Sequence, residues 1–174
     1  VSLKDHPSTY AVWGKLYRRE VLEGILFEKG KYHEDDFWTY QVFDRMERLA
    51  VVESPMYYYL QRSGSIMAER YSLRRLDAVE AKQQRLTFLE KEYPHLAQQA
   101  RKDLLFSCMY HGQLALRDLK GVDQTAALSR LKAAVKGCSG DLGDMRDTHK
   151  IWGLLAKYDI RLCCRIRNKL GIGL

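Results

Sequence analysis

The chain has 174 residues and a mass of 20.3 kDa, with 46% hydrophobic and 29% charged residues and three prolines against twelve glycines. That composition excludes intrinsic disorder, and no apolar run approaches the roughly 20 residues that a bilayer-spanning helix needs, so a soluble cytoplasmic chain is expected. The net charge of +7 is uneven: residues 1–70 hold ten Lys/Arg against eleven Asp/Glu, which leaves +8 on residues 71–174.

In chain order, Val12, Leu16, Val21 and Leu22 recur at roughly helical spacing and predict a helix over 11–24, stopped by Gly24. Ile25 to Phe27 then reads as a short extended piece and Glu28 to Lys31 as a turn. A helix is predicted from Glu34 to about Arg48, its inner side filled by Phe37, Trp38, Val42 and Met46. Leu49 to Glu53 and Met56 to Gln61, rich in Val and Tyr around Pro55, predict two short strands or one bent strand. Gln61 to Ser65 is a loop. From Leu73 onward Ala, Leu, Glu, Lys, Arg and Gln dominate, and helices are predicted near 72–92, 95–119, 124–136, 145–157 and 159–170. The expected fold class is α+β and mostly helical: a few short strands before residue 70, then a helical extension over 71–174. The chain opens on Val1 rather than methionine, which suggests a piece of something longer.

Four cysteines, Cys108, Cys138, Cys163 and Cys164, match no zinc-knuckle spacing and read as reduced thiols. Two motifs fail on inspection. Gly24 to Tyr32 has five residues rather than four between its glycines and no hydroxyl after Lys31, so it is not a phosphate-binding P-loop. His33-Glu34 would need its second histidine where Phe37 stands, so it is not a zinc-protease helix.

His33-Glu34-Asp35-Asp36 is the most informative tetrapeptide. Acids in a first turn complement the helix dipole and need no other role. Asp35, however, shares its face with Trp38, Val42 and Met46, and desolvation beside two further acids raises a carboxyl pKa, as suits a general base. Arg62, Ser63 and Ser65, in a glycine-containing loop, could meet a phosphate oxyanion or could be an ordinary exposed turn. Tyr57 and Tyr59 alternate with Tyr58 as a two-sided sheet would require, and core packing is their default role. Trp13 could offer a platform for a sugar ring or plug a core. The stretch 157–174, with Arg161, Arg165, Arg167 and Lys169 among Ile160, Leu162, Ile166 and Leu170, reads as a basic amphipathic helix that could face an anionic membrane surface or simply water. No helix-turn-helix, zinc or RNA-binding signature accompanies the charge, so nucleic acid is not expected as a partner.

Taken in order, Ala11-Val12-Trp13-Gly14-Lys15-Leu16-Tyr17-Arg18-Arg19, Ile25 to Gly30, His33 to Tyr40, Tyr57-Tyr58-Tyr59 and Gln61 to Met67 resemble the second half of the catalytic domain of family 2 glycosyltransferases. The resemblance covers about residues 10–70 and implies a GT-A nucleotide-binding fold. It also implies inverting transfer of a sugar from a nucleotide-diphosphate donor to a saccharide or lipid-linked acceptor, in surface polysaccharide synthesis. It implies Asp35 as the catalytic base with Glu34 or His33 orienting it, Arg62, Ser63 and Ser65 near the donor diphosphate, and Trp13 and Asp36 toward the acceptor. The chain departs from the family in having Gly14 where an asparagine is usual. It also lacks any Asp-x-Asp, so Mg²⁺ or Mn²⁺, which that motif would hold, is expected only in a longer enzyme, with no metal ligands here. The other reading is a non-catalytic helical interaction module that keeps a degenerate transferase segment. Self-association and peripheral docking on the inner membrane face are the further expectations for the extension.

Overall fold

The computed structural model describes residues 11–52, 54–58, 60, 69–138 and 147–174. The chain divides into two compact units, Val1–Glu69 and Arg70–Leu174.

Among the described residues the first unit contains two helices, α1 (Arg19–Leu22) and α2 (Glu34–Arg45). The helix expected over 11–24 forms only as the four residues of α1. Gly14 at φ +70° and Gly24 at φ +75° are in the left-handed region, which no right-handed helix can carry through, and the Lys15 ammonium donates back to the Ala11 carbonyl across a bend. Val12, Val21 and Leu22 collapse around Trp38 instead, while Leu16 is left fully exposed. Trp38 stacks on Phe27 at 4.9 Å between ring centroids and meets the edge of Tyr17 at 5.4 Å. Val12, Val21, Leu22 and Met46 pack round the buried Ile25, Trp38 and Val42. At the end of α2, the Met46 N–H returns to the Phe43 carbonyl and the Arg45 guanidinium donates to the Glu23 carbonyl.

The α+β expectation is overturned, because among the described residues there is no strand and the structure is all helical. Residues 25–27, 49–52 and 54–58 are neither helix nor ladder. A strand exists only through a hydrogen-bonded neighbour, and these segments have none among the described residues. Leu26, Val52, Met56 and Tyr58 are correspondingly exposed. A GT-A sheet is therefore not the architecture of the described residues.

The second unit opens with a 3-10 turn, Leu73–Leu76, followed by α3 (Asp77–Glu92), α4 (Pro94–Asp118), α5 (Gly121–Gly137), α6 (Asp147–Tyr158) and α7 (Ile160–Leu170). Pro94 starts α4 at a position whose N–H would have no helical partner. α3 and α4 form an antiparallel hairpin laced by Arg85–Asp103 at 3.2 Å and Arg101–Glu90 at 2.6 Å. α4, about 37 Å long at 1.5 Å per residue, is the central rod, with Leu104, Leu105, Cys108, Met109 and Ala115 among its buried side chains. α5 packs antiparallel to it. Gln124, at the start of α5, donates to the Leu119 carbonyl at 2.7 Å and so caps the end of α4. α7 runs parallel to α4: Cys164 meets Met109, and one turn on Arg167 and Asn168 meet Gln113. Asp159 caps α7 by accepting from the Leu162 N–H at 2.9 Å. Gly171, at φ +64°, closes it in a Schellman turn with the Ile172 N–H on the Arg167 carbonyl at 3.0 Å.

All four cysteines are free and buried in this second core. Burial pushes the Cys138 and Cys163 thiols up to about 11 and Cys164 up to about 12. They are packing residues, not nucleophiles.

Candidate functional site

The residues the sequence singles out for chemistry lie at the start of α2. His33 precedes the helix in the left-handed conformation, φ 58° and ψ 41°, and its side chain makes no capping bond. That turn delivers Glu34, Asp35 and Asp36 in succession into the first turn, where the helix dipole favours their charge. Their environments differ, because 100° per residue sends them to different sides. Glu34 is exposed, whereas Asp35 and Asp36 are half-buried. Asp35 lies on the side of α2 that carries the buried Trp38 and Val42.

The Asp36 backbone N–H donates to Asp35 Oδ1 at 3.0 Å and lies the same distance from the His33 carbonyl oxygen, so the peptide after Asp35 holds its carboxylate. Burial is the largest influence on Asp35 and raises its pKa. The Asp36 carboxylate adds to the rise, the Asp36 N–H opposes it, Glu34 adds again and His33 opposes. Lys15 approaches from the preceding loop: burial lowers its pKa, and attraction to Asp35 works against that fall. A cation and an anion twenty residues apart in sequence are thus electrostatically coupled at one place. The His33 Nε2 is buried without a hydrogen-bond partner, an orphaned polar atom beside the acidic turn.

Trp13 is 40% exposed and stacks on Tyr57 at 5.1 Å with the ring planes 20° apart. Gly14 lies beside the Tyr57 ring, where a Cβ would be in ordinary contact at 3.9 Å. The pair forms a flat aromatic surface in the same unit as Asp35. Arg62, Ser63 and Ser65 lie outside the described residues. Sequence reasoning missed Lys15 as a partner of Asp35, since a lysine after a glycine carries no pattern. Only the separation of the two motifs, which the fold closes, would have revealed it.

Among the described residues no three His, Cys, Asp or Glu side chains gather as a metal site. The acids of α2 are consecutive and diverge, so they do not fit the ligand set for the Mg²⁺ or Mn²⁺ that the family resemblance implies. A cavity of about 260 Å³ lies elsewhere, in the second unit, lined by Gln113, Arg117, Arg167, Asn168 and Ile172. Its buried guanidinium, Arg167, donates to Gln113 Oε1 at 2.9 Å and lies over the Trp152 ring at 5.4 Å. Seated in the last turn of α7, where a cation is favoured, it is accounted for as structure.

No family model, curated protein or solved structure matches the chain. Among the described residues no helix is long and apolar enough to cross a membrane.

Proposed function

We propose that the chain is part of an inverting glycosyltransferase of the family 2 kind, in which Asp35 is the general base, and that no GT-A sheet is needed within these residues for that role. The observation that carries the reading is the half-buried Asp35 carboxyl on the apolar side of α2, with its pKa raised above the ordinary carboxylate value. A carboxylate held in that way accepts a hydroxyl proton more readily than a solvated one.

In the reaction, the acceptor hydroxyl oxygen attacks the anomeric carbon as Asp35 takes its proton, and the nucleotide diphosphate departs from the opposite side, inverting the centre. The Asp36 N–H fixes the Asp35 oxygen that is not receiving the proton. The stacked Trp13 and Tyr57 offer the apolar face of a sugar a flat surface. Arg62, with Ser63 and Ser65, would neutralise charge on the leaving diphosphate. No step is assigned to a metal ion, since the ligand set here does not suit one. The donor is a nucleotide-diphosphate sugar and the acceptor a saccharide or lipid-linked hydroxyl, as surface polysaccharide assembly requires.

The test is nucleotide release from a panel of UDP- and GDP-sugars by the full-length protein that carries this chain. Asp35→Asn should lower turnover by about 10²–10⁴-fold, the usual contribution of a positioned base, while donor affinity stays within twofold. Unchanged turnover would overturn the assignment. The second reading, a non-catalytic helical interaction module, is favoured by the second unit, whose core is complete without any residue of the acidic turn. It predicts no nucleotide release from any donor by the intact protein.

A further inference from the structure

α6 is apolar on two opposite sides. Its inner side, Gly153 and Ala156 with the half-buried Trp152 and Leu155, faces the core of the second unit. At 100° per residue Ile151, Leu154 and Tyr158 share the opposite side, and they are 61%, 64% and 84% exposed. A helix that only met water would place polar groups there.

Beside that stripe, about a quarter of a turn away, runs a row carrying Lys150 and Lys157. Across the α6–α7 corner, Arg161, Arg165 and Lys169 are exposed on α7. Against the exposed Lys150, Arg161, Arg165 and Lys169, residues 147–170 contain two acids, Asp147 at the start of α6 and Asp159, whose carboxylate is engaged with the Leu162 N–H. The amphipathic pattern of α7 itself does not supply a membrane anchor, because its apolar side is already used: Ile160, Cys163 and Cys164 are buried in the core. Leu162 and Leu170 of α7 are exposed as well, but the three exposed apolar side chains that share one side lie on α6.

We propose that this face of the second unit seats on an anionic lipid surface, with Ile151, Leu154 and Tyr158 entering the headgroup boundary and Lys150, Arg161 and Arg165 above the lipid phosphates and carboxylates. Charge complementarity selects the occupant. A second copy of the chain would bring a like-charged face against this one, whereas an anionic leaflet attracts each cation, and a tyrosine beside aliphatic side chains suits the depth where polar and apolar regions meet. The inference does not rest on the transferase reading, and Asp35→Asn should bind lipid as the unaltered chain does.

Vesicle flotation tests it, with the full chain and phosphatidylcholine vesicles containing 30 mol% phosphatidylserine or none. Binding is expected only to the anionic vesicles. Removing the exposed stripe in Ile151→Ser/Leu154→Ser/Tyr158→Ser should weaken it at least tenfold with the helical circular dichroism unchanged. Lys150→Gln and Arg161→Gln should each weaken it about fivefold, the factor that corresponds to one surface cation. Absence of binding to anionic vesicles overturns the proposal. So does binding that the stripe variant leaves intact, which would be adsorption by charge alone. Sedimentation of the chain as a dimer that the stripe variant dissociates, without lipid binding, overturns it in favour of self-association.

Discussion

Gly112, buried in the middle of α4, offers a sharp test of how closely three helices approach in the second unit. A Cβ at this position would lie 2.6 Å from Cys164 Sγ on α7 and 3.6 Å from Leu131 Cδ1 on α5. The second distance is ordinary contact; the first is about 1 Å too short. Cys164 has little room to yield, since it is fully buried and its thiol donates to the Met109 carbonyl at 3.4 Å. Forcing a methyl into such a site costs about 1–3 kcal/mol, while replacing glycine by alanine within a helix returns about 1 kcal/mol. Gly112→Ala should therefore destabilise the chain by up to roughly 2 kcal/mol, at about 2–4 °C of Tm for each kcal/mol in a chain of this size. Removing the sulfur should reverse the sign: on a Cys164→Ala background the same Gly112→Ala change should stabilise, by up to about 1 kcal/mol. Urea unfolding of the four members of this cycle measures both effects. If Gly112→Ala stabilises while Cys164 is present, α4 and α7 are not packed this tightly and the reasoning fails.

Two further outcomes follow from ionisation. Burial lifts the Asp35 pKa above its ordinary value of 3.8, so the folded chain holds that proton more tightly than the unfolded chain, and stability is lost as pH rises from about 3.8 through the folded-state value. Asp35→Asn should lack that loss: its stability relative to the unaltered chain should climb across this window in urea titrations between pH 3.5 and 7 and then level off. A difference that does not change with pH would refute the burial argument. The cysteines give a second check. With Cys138 and Cys163 at about 11 and Cys164 at about 12, fewer than roughly one in a hundred of these thiols is ionised at pH 8. Ellman's reagent should leave the native chain unlabelled over minutes and react with all four cysteines in 6 M guanidinium. Rapid labelling of the native chain would count against a packing role.

The helical second unit was readable in the sequence because its signals are local. Sparse glycine and proline, Pro94 at a helix start and Gly171 at a helix end each act within a turn, and the helices expected at 95–119 and 159–170 form at 94–118 and 160–170. The first unit was read poorly for the opposite reason. The Val and Tyr residues of 49–58 prefer a pleated surface, but preference makes no ladder without a neighbour, and Leu16, Val21 and Leu22 keep helical spacing while Gly14 breaks the backbone before them. At the site, the helical period was enough to place Asp35 beside Trp38 and Val42. It could not reveal Lys15, because the electrostatic attraction of Lys15 to Asp35 belongs to the fold rather than to either motif.

The parallel alignment of α4 and α7 also bears on the order in which the second unit can assemble. Two helices that lie side by side and point the same way cannot be joined by a short turn, so the chain must return through α5, antiparallel to α4, and pass through α6 before α7 reaches its place. Arg85 and Asp103, which join the α3–α4 hairpin, are 18 residues apart, whereas Gln113 and Arg167 are 54 apart. On a logarithmic dependence of closure entropy on loop length, the longer loop costs about 1 kcal/mol more to close. The hairpin is thus the cheaper first closure. The seat of α7, which holds the guanidinium of Arg167 and the thiols of Cys163 and Cys164, is the part of this unit that topology leaves until the rest is in place.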